Sequence, residues 1–419
     1  MLAAATTLRC ALFTDLGGFS EGDAPDGGGA PPDARPAAEA GGPVILPDGD
    51  VEMTDDDAAD FGAGTHEGTT STDGFVSLVG ASQGRFRSRV HDAGREVGFV
   101  SLSWVPVAPY GKPLPDKGGA ERGYAEDAID MRDNVLLFHF DAPAGDLTGA
   151  VDDMSSGDNG GSVIGVAASV SDGRVGGALR DDLAGRVGVP VKASSGLNFG
   201  VSDVTWAYWV RTTQDCPPAN PPSGNRVHLG YDESAGDKTH LWLGCASTAG
   251  SSCENPDGTG RAGCTWCSRK VPTNDCKGVC GRTPINDGKW HHVAMVKRGH
   301  SPGTLSLYVD GKLDAAEAPI AFETPVAVEP GIEFAVGGFT GGTYPAAGDF
   351  DEVAVWRRAL TEAEIRGLHL RGALSLSLRV RVCQEADCSD DPPFVGPAEG
   401  TAFADSGQGL EPPRPVDLG

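Results

Sequence analysis

Asp287-Gly-Lys-Trp-His-His-Val-Ala294, followed after a short gap by Gly303-Thr-Leu-Ser-Leu-Tyr-Val-Asp-Gly-Lys312, decides the fold. From Trp290 to Val296 alternate side chains can fill the space between two sheets, and Lys297 and Arg298 mark the exit into a turn. Tyr308-Val-Asp-Gly-Lys312 supplies a strand and then a tight Asp-Gly turn, whose glycine tolerates a positive φ. The His291-His292 pair invites a metal or catalytic reading. Neighbouring side chains on a strand point to opposite faces and cannot readily share one ion, so the pair reads as structural.

Further strands lie on both sides. Phe75–Val79, Gly84–Val90 and Phe99–Trp104 alternate apolar and polar residues, and four prolines from Pro106 to Pro115 then break regular structure before the charged, loop-like 117–133. From Asn134 the pattern resumes at Val135–Phe140, Thr205–Arg211, Arg226–Leu229, His240–Gly244, Trp290–Lys297, Thr304–Asp310, Phe334–Gly337 and Phe350–Trp356. One short helix is predicted over Leu360–Leu368, with Thr361 as its cap and Glu364 three residues on. The 61 Gly and 30 Pro in 419 residues suit short strands joined by many turns, and seven Trp with 15 Phe can fill a core. No run of 18 or more apolar residues exists, which excludes a membrane-spanning helix. A net charge of −26 argues against sequence-independent nucleic-acid binding.

In order and spacing, these motifs resemble the laminin-G-like, concanavalin-A-like jelly-roll family. Asn134–Phe140 resembles its first strand, Asp153–Gly161 a small polar turn, and Val175–Leu179 through Val187–Pro190 the next strands. Thr205–Val210 resembles the buried strand that follows, and Asp349–Ile365 the closing strand and short helix. The resemblance implies an all-β, antiparallel two-sheet jelly-roll sandwich over 134–370, with 216–280 as a Cys-rich insertion. Leu374–Val382 alternates cleanly, so 73–133 and 371–419 read as two parts of a small β-domain that hosts the jelly roll.

The acid is unevenly spread. Between Ala11 and Thr72 there are 14 Asp and Glu against one base, Arg35, and few aromatics, which predicts a disordered acidic Gly/Pro-rich tether over 11–72. Asp55, Asp56, Asp57 and Asp60 within it read as solvated linker rather than a cation site. Residues 1–10 read as a degenerate signal, with Cys10 resembling the lipidated cysteine of a bacterial lipoprotein, although Leu8 and Arg9 replace the expected small residues. Seven cysteines (Cys216, Cys245, Cys253, Cys264, Cys267, Cys276 and Cys280) cluster in the Gly/Pro-rich stretch, and Cys383 and Cys388 sit close together. Disulfides in an oxidising compartment are expected, with one of the seven left over. The rival reading is zinc held by Cys264, Cys267, Cys276 and Cys280.

A jelly-roll glucanase would need paired carboxylates on one concave strand, and no such alternating element is present. The wider class often holds a structural Ca²⁺, and the resemblance would place it at Asp141 and Asp351, with Asp349 as a spare. Asp152, Asp153, Asp158 and Asn159 read as solvated turn chemistry. For stacking on a sugar, Tyr231, Trp242, Trp266 and Tyr344 are the candidates near loops, and Trp206, Trp209 and Trp290 read as core. The expectation is a non-catalytic recognition module for carbohydrate or an extracellular protein. It would be exported to the outer surface or periplasm and lipid-anchored at Cys10. The alternatives are an adhesive or structural scaffold and a divergent glycosidase.

Overall fold

The computed structural model describes residues 9–18, 44–45, 51–72, 74–79, 83–92, 101–102, 111–119, 129–199, 202–216, 225–232, 239–246, 260–268, 275–299, 302–315, 318–321, 331–383, 385, 388–390, 393, 403–404 and 416–417. The chain divides into two compact units. One comprises Pro113–Glu121 with Ile129–Leu370, and the other Met1–Lys112, Arg122–Ala128 and Arg371–Gly419.

In the larger unit, Trp290–Gly299 pairs antiparallel with Gly303–Val309. Val309 then pairs with Lys312 across Asp310-Gly311, and both turn residues have positive φ (50° and 75°). This is the two-residue hairpin geometry that Asp-Gly favours. The rest of this layer follows in register. Val204–Arg211 lies beside Trp290–Gly299, Ala347–Trp356 beside Val204–Arg211, and Asn134–Phe138 at the far edge. A second layer runs through Asp275–Pro284, Arg261–Ser268, Thr239–Cys245, Arg226–Asp232 and Glu333–Val336.

Ala178–Pro190 connects the two layers. Leu179–Asp182 pair with Ala347–Phe350 of the first layer, whereas Val187–Pro190 pair with Glu333–Val336 of the second. The jelly roll is therefore one curled, hydrogen-bonded antiparallel network folded into two facing layers. Between them, Trp206 packs its ring against Trp266 (5.8 Å) and Phe334 (5.0 Å) of the opposite layer, with Phe199 at 5.4 Å. On the outer face of the first layer, Ala207, Ala294, Val296, Ala354 and Trp356 form a second core with Ile365 and Leu368 of the helix Glu362–Ala373. That helix begins as expected: Glu364 N donates to Thr361 Oγ1 (3.2 Å) while Glu364 Oε2 accepts from Thr361 N (2.7 Å).

In this unit two expectations about strands and turns change. Residues 216–280 are not a surface insertion, because they contribute four strands to the second layer and Arg261–Ser268 is buried almost throughout. Asp153 is buried rather than solvated. It accepts from the backbone N of Leu137, Ser155 and Asn159 (2.8, 2.8 and 2.7 Å), which ties the turn to the first strand.

In the smaller unit a five-stranded antiparallel sheet runs Phe403–Ala404, Leu374–Cys383, Arg9–Gly18, Gln83–Asp92, Thr65–Glu67. Arg9–Gly18 is its central strand, although the sequence reading ended a signal at 10 and began a tether at 11. Within the same acidic stretch, Ala58–Gly62 is a helix capped by Asp57, and Thr69–Thr72 pairs with Phe75–Leu78. Asp55 and Asp60 are also not mere linker, since both pair with Arg89 (3.2 and 2.6 Å). A charge tally over sixty residues averages away the apolar positions of Cys10-Ala-Leu-Phe-Thr-Asp-Leu16.

Candidate functional site

Four adjacent strands of the larger unit place Arg180, Asp349, Arg211 and Trp290 in a single cross-strand row. Residues directly opposite each other on neighbouring strands project from the same face, so the row forms a ladder of side chains. Its parity is that of Ala207 and Ala294, hence the outer face of the first layer, beyond the part that the helix covers. Asp349 is buried and accepts from Arg180 Nε (2.6 Å) and Arg211 Nε (2.9 Å). Burial pushes its carboxyl up, but the two guanidinium groups outweigh burial and hold it below the ordinary range. Arg211 also donates to Asp172 Oδ2 (2.9 Å), and its guanidinium carbon lies 4.9 Å over the ring of half-buried Trp290.

The loops beside the ladder are tied to one another. Gly288 N donates to Thr212 O (3.0 Å), and Asn286 Nδ2 to Asp215 Oδ1 (3.1 Å). Gln214 Oε1 accepts from Ala347 N (2.8 Å), and its Nε2 donates to Pro345 O (3.4 Å). A disulfide joins Cys216 to Cys245. Tyr344 follows in the same loop, half-buried and edge-on to Phe339 (5.6 Å). Among the described residues of this unit, Trp290 and Tyr344 are the aromatics that keep partial exposure. A half-exposed ring beside a fixed guanidinium, with the Asp172 carboxylate in solvent, can stack on an apolar face and hydrogen-bond to hydroxyls.

Residues 188–366 match the Laminin_G_3 family model, described as the concanavalin A-like lectin/glucanases superfamily. That segment belongs to this superfamily. The concanavalin A-like domain is also similar to several solved structures. Domain 4 of AbnA, a GH43 extracellular arabinanase from Geobacillus stearothermophilus solved with arabinotriose, is 18% identical with a TM-score of 0.39, over 57% of this chain and 98% of that one. The CBM40 of the Ruminococcus gnavus IT-sialidase, bound to α2,3-sialyllactose, is 13% identical with a TM-score of 0.34, over 56% and 99%. The binding domain of botulinum neurotoxin DC, in complex with SialylT, is 12% identical with a TM-score of 0.39, over 57% of this chain and 51% of its own. No curated protein matches the chain.

The concanavalin A-like domain reverses most of the aromatic assignments made from sequence. Trp266 is fully buried between the layers, and Tyr231 is equally inaccessible in the same core. Trp242 is enclosed with Val227, Ala246 and Phe339. Their flanking Gly and Ser residues form strands rather than loops. Of the four, Tyr344 keeps a partly exposed position. Trp290, read as core, is instead the end of the ladder.

The acids expected to hold Ca²⁺ have other partners. Asp349 is bound by two arginines. Asp351 is fully buried, with Oδ2 accepting from the backbone N of Arg174 and Val175 (2.7 and 2.8 Å) and Oδ1 from Glu352 N (2.7 Å). Burial and the neighbouring Glu352 push its carboxyl well up, towards the neutral form. Asp141 accepts from Gly177 N (2.6 Å). Asp349 and Asp351 thus spend their oxygens on guanidiniums and backbone N–H groups, and Asp141 spends its Oδ1 on Gly177 N, so a Ca²⁺ ion would compete with these bonds. Among the described residues, the acids that do converge are Asp56, Asp57 and Asp60.

The cysteines pair as Cys216–Cys245, Cys267–Cys276 and Cys383–Cys388, and Cys280 is also disulfide-bonded. The Cys267–Cys276 bond removes two of the four sulfurs zinc would need. Among the described residues, Cys264 is the free, buried thiol. Cys253 lies outside the described residues, and Cys10 holds a register position within the central strand of the smaller unit, opposite Val382 and His91. His291 bonds Asp310 (2.8 Å) and Asp287 (3.1 Å), while His292 turns to the other face beside Trp209 (5.3 Å).

Sequence reasoning missed a second charged cluster. His139 is clamped by Glu352 through Nδ1 and by Asp116 through Nε2 (2.9 Å), and Glu352 also accepts from Leu114 N (2.6 Å). Burial opposes the imidazolium, but the two carboxylates outweigh it and raise the pKa to about 10. The one signal was Asp351-Glu352, two adjacent acids which, with Asp349, interrupt an otherwise apolar strand. Glu352 has a positive φ of 48° at an irregularity in the strand pairing.

Proposed function

We propose that the concanavalin A-like domain is a non-catalytic recognition module that binds carbohydrate at the ladder ending in Trp290. The carrying observation is the Asp349–Arg211–Trp290 row, in which a buried carboxylate fixes a guanidinium against a half-exposed indole. Such a site is pre-organised, so little ordering is needed when ligand arrives. Support for binding over glycoside cleavage comes from the acids. A retaining glycosidase needs two carboxyls about 5–5.5 Å apart and facing the substrate. Here Asp349, Asp351 and Glu352 are committed to Arg180 and Arg211, to backbone N–H groups, and to His139. Disulfides at Cys216–Cys245, Cys267–Cys276 and Cys383–Cys388 support an exported protein, and lipidation at Cys10 would fix it to a membrane.

The test is a broad glycan and polysaccharide array probed with the full chain, alongside a reducing-sugar assay on any glycan retained. Saturable binding without released sugar is the expected result. Released sugar would establish the glycosidase reading. A blank array would leave an adhesive role towards an extracellular protein.

A further inference from the structure

Trp290 is followed directly by a histidine, and that histidine joins two turns beside the indole. His291 Nδ1 lies 2.8 Å from Asp310 Oδ2, on the Asp310-Gly311 turn. Its Nε2 lies 3.1 Å from Asp287 Oδ1, on the loop that leads into Trp290. Each carboxylate is also tied to the backbone: Asp310 Oδ1 accepts from His292 N (2.9 Å) and Asp287 Oδ1 from Lys289 N (2.9 Å). In the same loop Gly288, at φ +80°, donates its N–H to Thr212 O (3.0 Å). Successive strand residues point to opposite faces, so His291 fixes from behind the backbone that carries the indole.

Both ring nitrogens face acceptors. An ionised carboxylate only accepts, so both contacts are hydrogen bonds only when the ring carries two protons. A neutral imidazole has one N–H, and its other nitrogen then turns a lone pair towards a carboxylate. The surrounding charged groups do not supply the missing proton. Lys289 Nζ pairs with the other oxygen of Asp287 (3.1 Å). From the helix Glu362–Ala373, His369 Nδ1 stands 4.0 Å from Asp310 Oδ1, and burial lowers its pKa to about 4. Arg174 acts electrostatically on Asp310, and Lys312 on His369. His292 lies on the other face, with its pKa lowered by burial to about 3. Burial opposes the His291 imidazolium too, but Asp310 and Asp287 outweigh it and hold the pKa above the ordinary value near 6.5. The contribution of this clamp is therefore full below that value and fades as pH rises through the native one.

We propose that His291 is a pH-dependent latch on the Trp290 site: its imidazolium holds the Asp287 loop and the indole ready for ligand, and loss of its proton frees the loop and weakens binding. This rests on the reading of Trp290 as the binding position. His291 acts as a positioning residue. Once the loop is free, ligand must order it on arrival, and that cost is subtracted from the affinity. The module thus captures its glycan in mildly acidic medium and releases it as the medium turns alkaline.

NMR of the full chain, labelled with ¹⁵N and with ¹³C in histidine, reads the latch without ligand between pH 5.5 and 10. The His291 ring should titrate above 6.5, and the Trp290 indole N–H and the Gly288 amide should shift with the same midpoint. Asp287→Asn, at an exposed loop position, removes one carboxylate, so all three midpoints should fall together. His291→Gln should abolish the Trp290 response, and if it lowers the melting temperature, Asp287→Asn decides alone. Calorimetry with a neutral glycan retained on the array should show wild type binding about three- to tenfold more weakly at pH 9.5 than at pH 6. His291→Gln should bind nearly equally at both. Melting temperatures at each pH check that the fold persists. A His291 midpoint at or below 6.5, a Trp290 signal flat across that midpoint, or pH-independent affinity in wild type would overturn the latch. Affinity unchanged by Trp290→Ala would instead overturn the binding reading, whatever the imidazole does.

Discussion

Arg211 sits between Asp349 and Trp290 in one cross-strand row, bonded to the first and 4.9 Å over the ring of the second. Asp349 therefore does for Arg211 what packing does for a core side chain: it removes alternative rotamers. Replacing Asp349 by Asn should cost about 1–2 kcal/mol, a modest figure because half of the Arg180 side chain is in solvent. A carboxyl held low stabilises the fold above its ordinary range, and the contribution is lost as pH falls through the native value. Wild type and Asp349→Asn should accordingly converge in urea denaturation at strongly acidic pH. A constant gap across pH would contradict the assignment.

The His139 clamp predicts the opposite pH trend. A histidine whose native pKa is raised to about 10 contributes stability fully below its ordinary value near 6.5, and that contribution fades as pH rises through 10. Removing the imidazole leaves Glu352 buried without its counter-charge, so His139→Ala should cost about 3–5 kcal/mol at neutral pH. Denaturation at pH 7 and pH 9.5 should show the wild type losing stability and the variant losing much less. Parallel profiles would sink the clamp.

Asp181 runs in another sense again. It is buried, its Oδ1 accepts from Gly185 N (2.9 Å), its Oδ2 has no partner, and burial raises its pKa to about 6. Its ionisation is thus disfavoured in the fold, and stability is lost as pH rises through 6. Asp181→Asn should be more stable relative to wild type at pH 8 than at pH 4.5, by thermal melts. Next to it, Gly337 has φ +92°, and an added Cβ would stand 2.6 Å from Asp181 Oδ2. Gly337→Ala should destabilise at both pH values.

Much of this architecture was legible in the sequence, and the reasons differ by element. The Asp310-Gly311 hairpin and the Thr361–Glu364 capping box are local devices, set by residues within a few positions of each other. The arginine–aspartate ladder was not legible, because its members come from four strands and depend on register that one sequence does not supply. Trp266 and Trp290 were assigned the wrong way round for a related reason. Arg261-Ala-Gly-Cys-Thr-Trp-Cys-Ser268 lacks apolar alternation and reads as loop, yet small residues let it pack as a buried strand.

Cys264 gives a chemical test of that strand. Burial pushes its thiol well up, so it should be inert as a nucleophile. Iodoacetamide should leave Cys264 unmodified in the native protein and label it after unfolding without reductant, as located by peptide mapping. Native labelling would mean that the strand is open or wrongly placed.

The central claim rests on Trp290, and a binding titration tests it most directly. With a neutral glycan selected from the array, calorimetry on wild type and Trp290→Ala compares affinity, with the melting temperature as a check on the fold. The account predicts a loss of about 2 kcal/mol, roughly thirtyfold, with little change in melting temperature. Unchanged affinity in a folded Trp290→Ala variant would contradict it and place recognition elsewhere on the domain.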